Sequence, residues 1–187
     1  MVRVDQSDCV GCDGELRDRA GIGSGSGSRT LLCAGRDVYG FGTRSATIWN
    51  ASTGARVWDS GDMFEQVTAL AVPTAFNASN TNNALDDRSD NKGPEPEGVT
   101  TGTVRGRTYA FVCLERIGGF IVLDITDPNA PTFVQWANNR NYTLSPAGPD
   151  SGPEVVEFVP ADQSPIGRPT VIVANEISGT VTLYATS

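Results

Sequence analysis

The sequence predicts an all-β protein made of β-propeller-type blades, each an antiparallel meander, and three observations point there. From residue 36 onward, short runs rich in Val, Ile, Thr, Tyr, Phe and Trp alternate with glycine and Asx turns. No helical periodicity of useful length separates them, which disfavours a parallel βαβ fold. One unit also recurs: Pro96-Glu97-Gly98-Val99 matches Pro153-Glu154-Val155-Val156, Gly106-Arg107 matches Gly167-Arg168, and Val112-Cys113-Leu114-Glu115 matches Val173-Ala174-Asn175-Glu176. A repeated unit of this size implies repeated supersecondary structure. The strands suffice for about three blades, whereas a closed propeller has roughly four to eight. The expectation is therefore an incomplete propeller, one completed by oligomerisation, or another β packing, and unpaired edge strands favour the first two.

Along the chain, residues 1–35 form an N-terminal segment containing Cys, Gly and Ser, and its GIGSGSGS stretch at 21–28 has the composition of a flexible linker. Little regular structure is expected there. Residues 36–187 form the β domain. Its first meander is expected over 38–42, 45–50 and 56–59, with Asn50 to Gly54 supplying a turn. A short helix is expected over 62–70, where Met63, Val67 and Leu70 share helical spacing. A polar loop, 76–97, leads to a second meander at 99–104, 108–114, 120–125 and 132–136. Asp124-Ile-Thr-Asp-Pro128 stops the third of these strands. Strands at 154–159, 170–175 and 180–185 close the third unit. Trp49, Trp58 and Trp136 lie on strands and read as packing residues.

Composition narrows the function classes. The 187 residues suffice for one domain with a sizeable core, and the net charge of −8 leaves no basic patch for nucleic acid or an anionic membrane. Cations are the favoured ligands. No apolar run approaches the length of a membrane helix, and residues 1–35 lack the basic and apolar regions of a signal peptide. Histidine is absent, which removes the commonest general base and zinc ligand. Cys9 and Cys12 form a C-x-x-C, while Cys33 and Cys113 stand alone. Disulfides, free thiols and a metal or redox site all remain open for these four, although a zinc ribbon would want a second close pair.

Residues 77–91 hold eight Asn or Asp in fifteen positions, including Asp86, Asp87 and Asp90, and lead into Glu95 and Glu97. Such oxygen-rich clusters suit calcium, and a solvated loop of Asx turns is the alternative. The spacing is not that of an EF-hand. Glu97, Glu115, Glu154 and Glu176 occupy equivalent places in the two repeats, so they are expected to converge on one locus. Unneutralised, four carboxylates there raise one another's pKa values. Either a metal binds them, or they form ion pairs and accept backbone N–H bonds. Arg44 and Arg116 are the cations placed to pair with them; Arg88, Arg116 and Lys92 are the ones placed to meet a phosphate. Asn50, Asn77 and Asn141 open N-x-S/T triplets in turns and loops, which are glycosylation candidates in a secreted eukaryotic protein.

The segments TRSATIWNASTGARVWDSGDMFE, FNASNTNNALDDRSDNKGPEPEGV, GRTYAFVCLERIGGFIVLDITDPNAPTFV and GPEVVEFVPADQSPIGRPTVIVANEISGTVTLY resemble the C-terminal half of choice-of-anchor I proteins. GPEPEG and LERIGG are the most specific blocks. The resemblance implies an extracellular or cell-surface β-propeller, and family members range from surface glycoproteins to alkaline-phosphatase-like proteins. Residues 1–38 depart from the pattern, in which further blades precede the matched part. The reading is a structural or binding module, calcium-stabilised, that acts by self-association or by binding another extracellular protein. A calcium-dependent phosphomonoesterase is the alternative; no G-x-S-x-G, P-loop or metal-binding His motif supports it.

Overall fold

The computed structural model describes residues 2–4, 30–32, 38–40, 44–146 and 148–186. Twelve strands and one helix follow in order: β1 (Val2–Val4), β2 (Thr30–Leu32), β3 (Val38–Gly40), β4 (Ala46–Trp49), β5 (Arg56–Asp59), α1 (Met63–Ala71), β6 (Pro96–Val104), β7 (Arg107–Leu114), β8 (Phe120–Asp124), β9 (Thr132–Ala137), β10 (Pro153–Val159), β11 (Thr170–Asn175) and β12 (Thr180–Ala185). Every pairing is antiparallel. The sheets run β1-β4-β5, β6-β7-β8-β9 and β10-β11-β12, with β2-β3 as a separate ladder. The first three are taken here as blades 1, 2 and 3. Among the described residues no sheet closes on itself, so the chain is an incomplete set of propeller-like blades.

Blade 2 links the two cores because its inner strands, β7 and β8, are apolar on both faces. Ala110, Val112, Leu114, Ile121 and Leu123 pack with Ala46 of blade 1, Phe64 of α1, and Ala75 and Ala78 of the following loop. The alternate residues Phe111, Cys113, Phe120 and Val122 pack with Val156, Val171 and Val173 of blade 3. Period-two alternation thus sends neighbouring residues to two different cores. Phe111 stacks on Phe158, and Phe120 meets Tyr184 edge-on with ring centroids 4.9 Å apart.

Glycine sets how closely blades 2 and 3 approach. A Cβ on Gly98 would stand 2.5 Å from the Glu154 carbonyl oxygen, and one on Gly102 would stand 2.3 Å from the Phe158 ring. The β7–β8 turn needs glycine for a different reason: Gly118 and Gly119 have φ of 96° and 70°. Trp136 Nε1 donates to the Gly118 carbonyl at 3.0 Å, and the Tyr142 hydroxyl donates to that of Ile117. Asp124 ends β8 as expected, accepting from Thr126 N at 3.0 Å and pairing with Arg107 at 2.5 Å.

Three expectations need correction. Within the expected 38–42 strand, β3 pairs with β2 rather than with β4, and β4 lies between β1 and β5. Within 1–35, β1 and β2 are strands, and β1 lies beside β6; the GIGSGSGS stretch lies outside the described residues. Helix α1 buries Phe64 and Thr68 and packs Met63 and Val67 on the core, but Leu70 is 86% exposed. Val72, Ala75 and Ala78, which follow the helix, pack on the same core as Phe64 and leave Leu70 uncovered.

Candidate functional site

The repeat reappears in the backbone. Pro96 pairs with Leu114 and Pro153 with Asn175, and in each case the ladder then slips by one residue, so that Glu97 and Glu154 both sit at a β-bulge. A bulge re-aims the side chain it carries. On the opposite strand end, Glu115 N donates to the Glu95 carbonyl at 2.9 Å, and Glu176 N donates to that of Gly152 at 2.7 Å.

These bulges bring three carboxylates together across the blade 2–blade 3 junction. Glu97, Glu115 and Glu154 each offer an oxygen, and the three oxygens lie within 4.8 Å of one another. Glu176 does not join them. It is exposed, and its place is taken by Glu95, which is buried at φ 52°. Glu95 Oε1 lies 2.5 Å from Lys92 Nζ, and Glu95 Oε2 accepts from Arg116 Nε. Arg116 Nε also stands 3.2 Å from Glu115 Oε2, and Asn80 Nδ2 donates to Glu115 Oε1.

The electrostatics divide these groups. Burial works against an ionised Glu95, but its hydrogen bond with Glu115, together with Lys92 and Arg116, holds its carboxyl below the usual range. Burial, then the hydrogen bond and negative charge of Glu95, push Glu115 up to about 8, with Arg116 opposing. Glu97 is raised to about 7, first by burial and then by Glu154 and Glu95. The junction therefore holds one ionised glutamate with its own cations beside a group that resists further negative charge. A cation supplied to Glu97, Glu115 and Glu154 would relieve that resistance.

The Asx loop serves another purpose. Asp86, Asp87 and Asp90 are exposed and are not among the three converging carboxylates; Asp86 accepts from Ser89 Oγ, and Asp87 from Asn82 Nδ2 at 3.0 Å. Two buried arginines hold the loop by its carbonyls. Arg44 pairs with Glu65 at 2.8 Å and donates to Ser89 O and Asn91 O, so it is not a partner of the cluster. Arg140 donates to Ser79 O at 2.6 Å, to Asn82 O at 3.2 Å and to Arg116 O at 2.5 Å. Arg88 N donates to Asn77 O. Lys92 and Arg116, expected to meet phosphate, are engaged at Glu95.

Asn77 is fully buried, with Nδ2 donating to Glu65 Oε1 at 2.8 Å and to Ser89 Oγ at 2.9 Å, so the folded chain has no room for a glycan there. Asn50 and Asn141 are exposed in Asx turns. Cys113 is a buried free thiol rather than half of a disulfide; Cys9, Cys12 and Cys33 lie outside the described residues. Sequence reasoning missed Asn80 and Arg140. Their partners lie 35 residues away for Asn80 and between 24 and 61 residues away for Arg140, and no local spacing signals such contacts.

Open antiparallel blades with an acidic junction define a propeller-type protein with a carboxylate-lined seam. The chain belongs to the choice-of-anchor I family, whose domain model matches residues 29–128. It is 28% identical over 161 residues to Gigasin-3a of Magallana gigas, covering 79% of this chain and 57% of that protein. It is 26% identical over 107 residues to the mesenchyme-specific cell surface glycoprotein of Strongylocentrotus purpuratus, covering 50% of this chain and 14% of that protein. The chain thus spans little more than half of one relative and a small part of the other. No solved structure matches.

Proposed function

We propose that this chain is an extracellular or cell-surface structural and binding module that takes up calcium at the seam between blades 2 and 3 and acts by self-association or by binding another extracellular protein. The observation that carries it is the convergence of Glu97, Glu115 and Glu154 from two blades to within 4.8 Å. Calcium fits this donor set because it is a hard cation that takes roughly six to eight oxygens in flexible geometry. Ligands drawn from both blades make such an ion a clamp between them. The family, the likeness to a cell surface glycoprotein of Strongylocentrotus purpuratus and the two exposed N-x-S/T turns support the extracellular placement.

Calorimetry and thermal melting of the chelator-treated chain test this reading. Calcium should bind and raise Tm, by an amount equivalent to about 2.7 kcal/mol at a hundredfold excess over Kd. Glu97→Gln with Glu154→Gln should abolish both effects. No heat and no Tm shift at millimolar calcium would sink the calcium clamp. Hydrolysis of an aryl phosphate that a chelator abolishes would instead favour the phosphoesterase, to which Lys92 and Arg116, held at Glu95, lend no support.

A further inference from the structure

Arg140 is a buried cation held without a carboxylate. It is 6% exposed, and among the described residues no Asp or Glu pairs with it. Burying a guanidinium in this way is costly, and an apolar side chain would fill the same space more favourably. Its presence is explained by the oxygens it gathers from two separate segments. Nη1 donates to Arg116 O at 2.5 Å, and Nη2 donates to Ser79 O at 2.6 Å, to Asn82 O at 3.2 Å and to Asn83 Oδ1 at 2.8 Å.

Those acceptors flank one contact of the seam. Arg116 follows Glu115, Ser79 precedes Asn80, and Asn80 Nδ2 donates to Glu115 Oε1 across the same gap. The planar guanidinium keeps its two terminal nitrogens at a fixed separation, so it sets how far the 79–83 loop stands from the β7–β8 turn. Arg140 is itself anchored: its N donates to Asn138 Oδ1 at 3.0 Å, its Cζ lies 5.0 Å from the centroid of the Tyr142 ring, and the Tyr142 hydroxyl donates to Ile117 O. Glu115, the carboxylate gripped by this arrangement, is the buried member of the three that converge.

We infer that Arg140 is the positioning residue of the seam: by fixing Asn80 against Glu115, it presents the Glu115 carboxylate to the cation that Glu97 and Glu154 share. This rests on the calcium reading and says how the buried ligand of that site is held. Replacing a residue that orients a metal ligand commonly weakens metal affinity by roughly 10- to 100-fold. Lysine at this position keeps the charge but offers a single nitrogen, which cannot reach both segments.

Calcium titration of the whole chain by calorimetry tests this role, together with terbium luminescence decay in water and heavy water, which counts the waters on the bound ion. Arg140→Lys should raise the calcium Kd at least about tenfold, and bound terbium should carry about one more water, at the place Glu115 vacates. Arg44→Lys is the control, since Arg44 grips the same loop at Ser89 O and Asn91 O, away from Asn80. It should lower Tm and leave Kd and the water count unchanged. If circular dichroism shows that Arg140→Lys does not fold, Asn80→Ala leaves Arg140 in place and should give the same two changes. An unchanged Kd, a weaker one without the added water, or a loss that Arg44→Lys matches overturns the role of Arg140 and leaves the calcium seam standing. A wild type that binds no calcium overturns both.

Discussion

At residues 96–98 and 153–155 the chain makes the same move twice, Pro-Glu at a one-residue bulge, yet Gly98 lies under the Glu154 carbonyl while Val155 stands 58% exposed. The strand ends differ in the same way. Glu115 is buried beside Glu95, Asn80 and Arg116, whereas its counterpart Glu176 is exposed and has Gly152 where Glu115 has Glu95. Backbone geometry is common to both copies, and the chemistry follows from what lies against each. The first copy has a blade on either side. Among the described residues the second packs against one blade, and its Glu176 is exposed.

The comparison breaks most readily at the glycine. Gly98→Ala forces a methyl group onto backbone and should cost on the order of 2–4 kcal/mol in chemical denaturation, whereas Val155→Ala should stay within about 0.5 kcal/mol. Equal effects would mean that β6 and β10 do not touch. Next, Asn80→Ala removes the amide that donates to buried Glu115 and should destabilise by about 1–3 kcal/mol. Glu176→Gln should change stability by less than about 0.5 kcal/mol and leave calcium binding intact; a calcium defect in that variant would return Glu176 to the cluster.

A further test lies in pH dependence. The folded chain raises Glu97 to about 7 and Glu115 to about 8 from the ordinary 4.5, so between these values it holds protons that the unfolded chain has released. The stability conferred by the protonated pair is complete below about 4.5 and is lost as pH rises through 7 and 8. In chelator, Tm should fall across that window, and Glu97→Gln should flatten the fall. A Tm that rises from pH 5 to pH 8 would contradict the repulsion at the seam.

The β elements from residue 46 onward were legible because turn residues punctuate them and β-branched runs fill them; β7, β8 and β9 fall within a few residues of where the pattern put them. Convergence of Glu97, Glu115 and Glu154 was legible for a different reason: the internal match related positions that composition alone cannot relate. The same match misled at Glu176, because it aligns backbone places and is silent about whether a neighbouring blade is present. The loop over 77–91 was open to two readings, oxygen donors for a cation or a run of Asx turns, and neither foresaw that Arg44 and Arg140 bind its carbonyls. Those contacts span 45 to 61 residues and depend on how α1 and β9 pack, which local composition does not encode.

Cys113 is sealed in the core shared by blades 2 and 3, and burial followed by the charges of Glu154 and Glu97 pushes its thiol to about 12. At neutral pH it is almost never a thiolate, so reagents can modify it only after the two blades part. Its labelling rate is thus a clock for that separation, read without adding a probe, and any ion that fastens the seam would slow it.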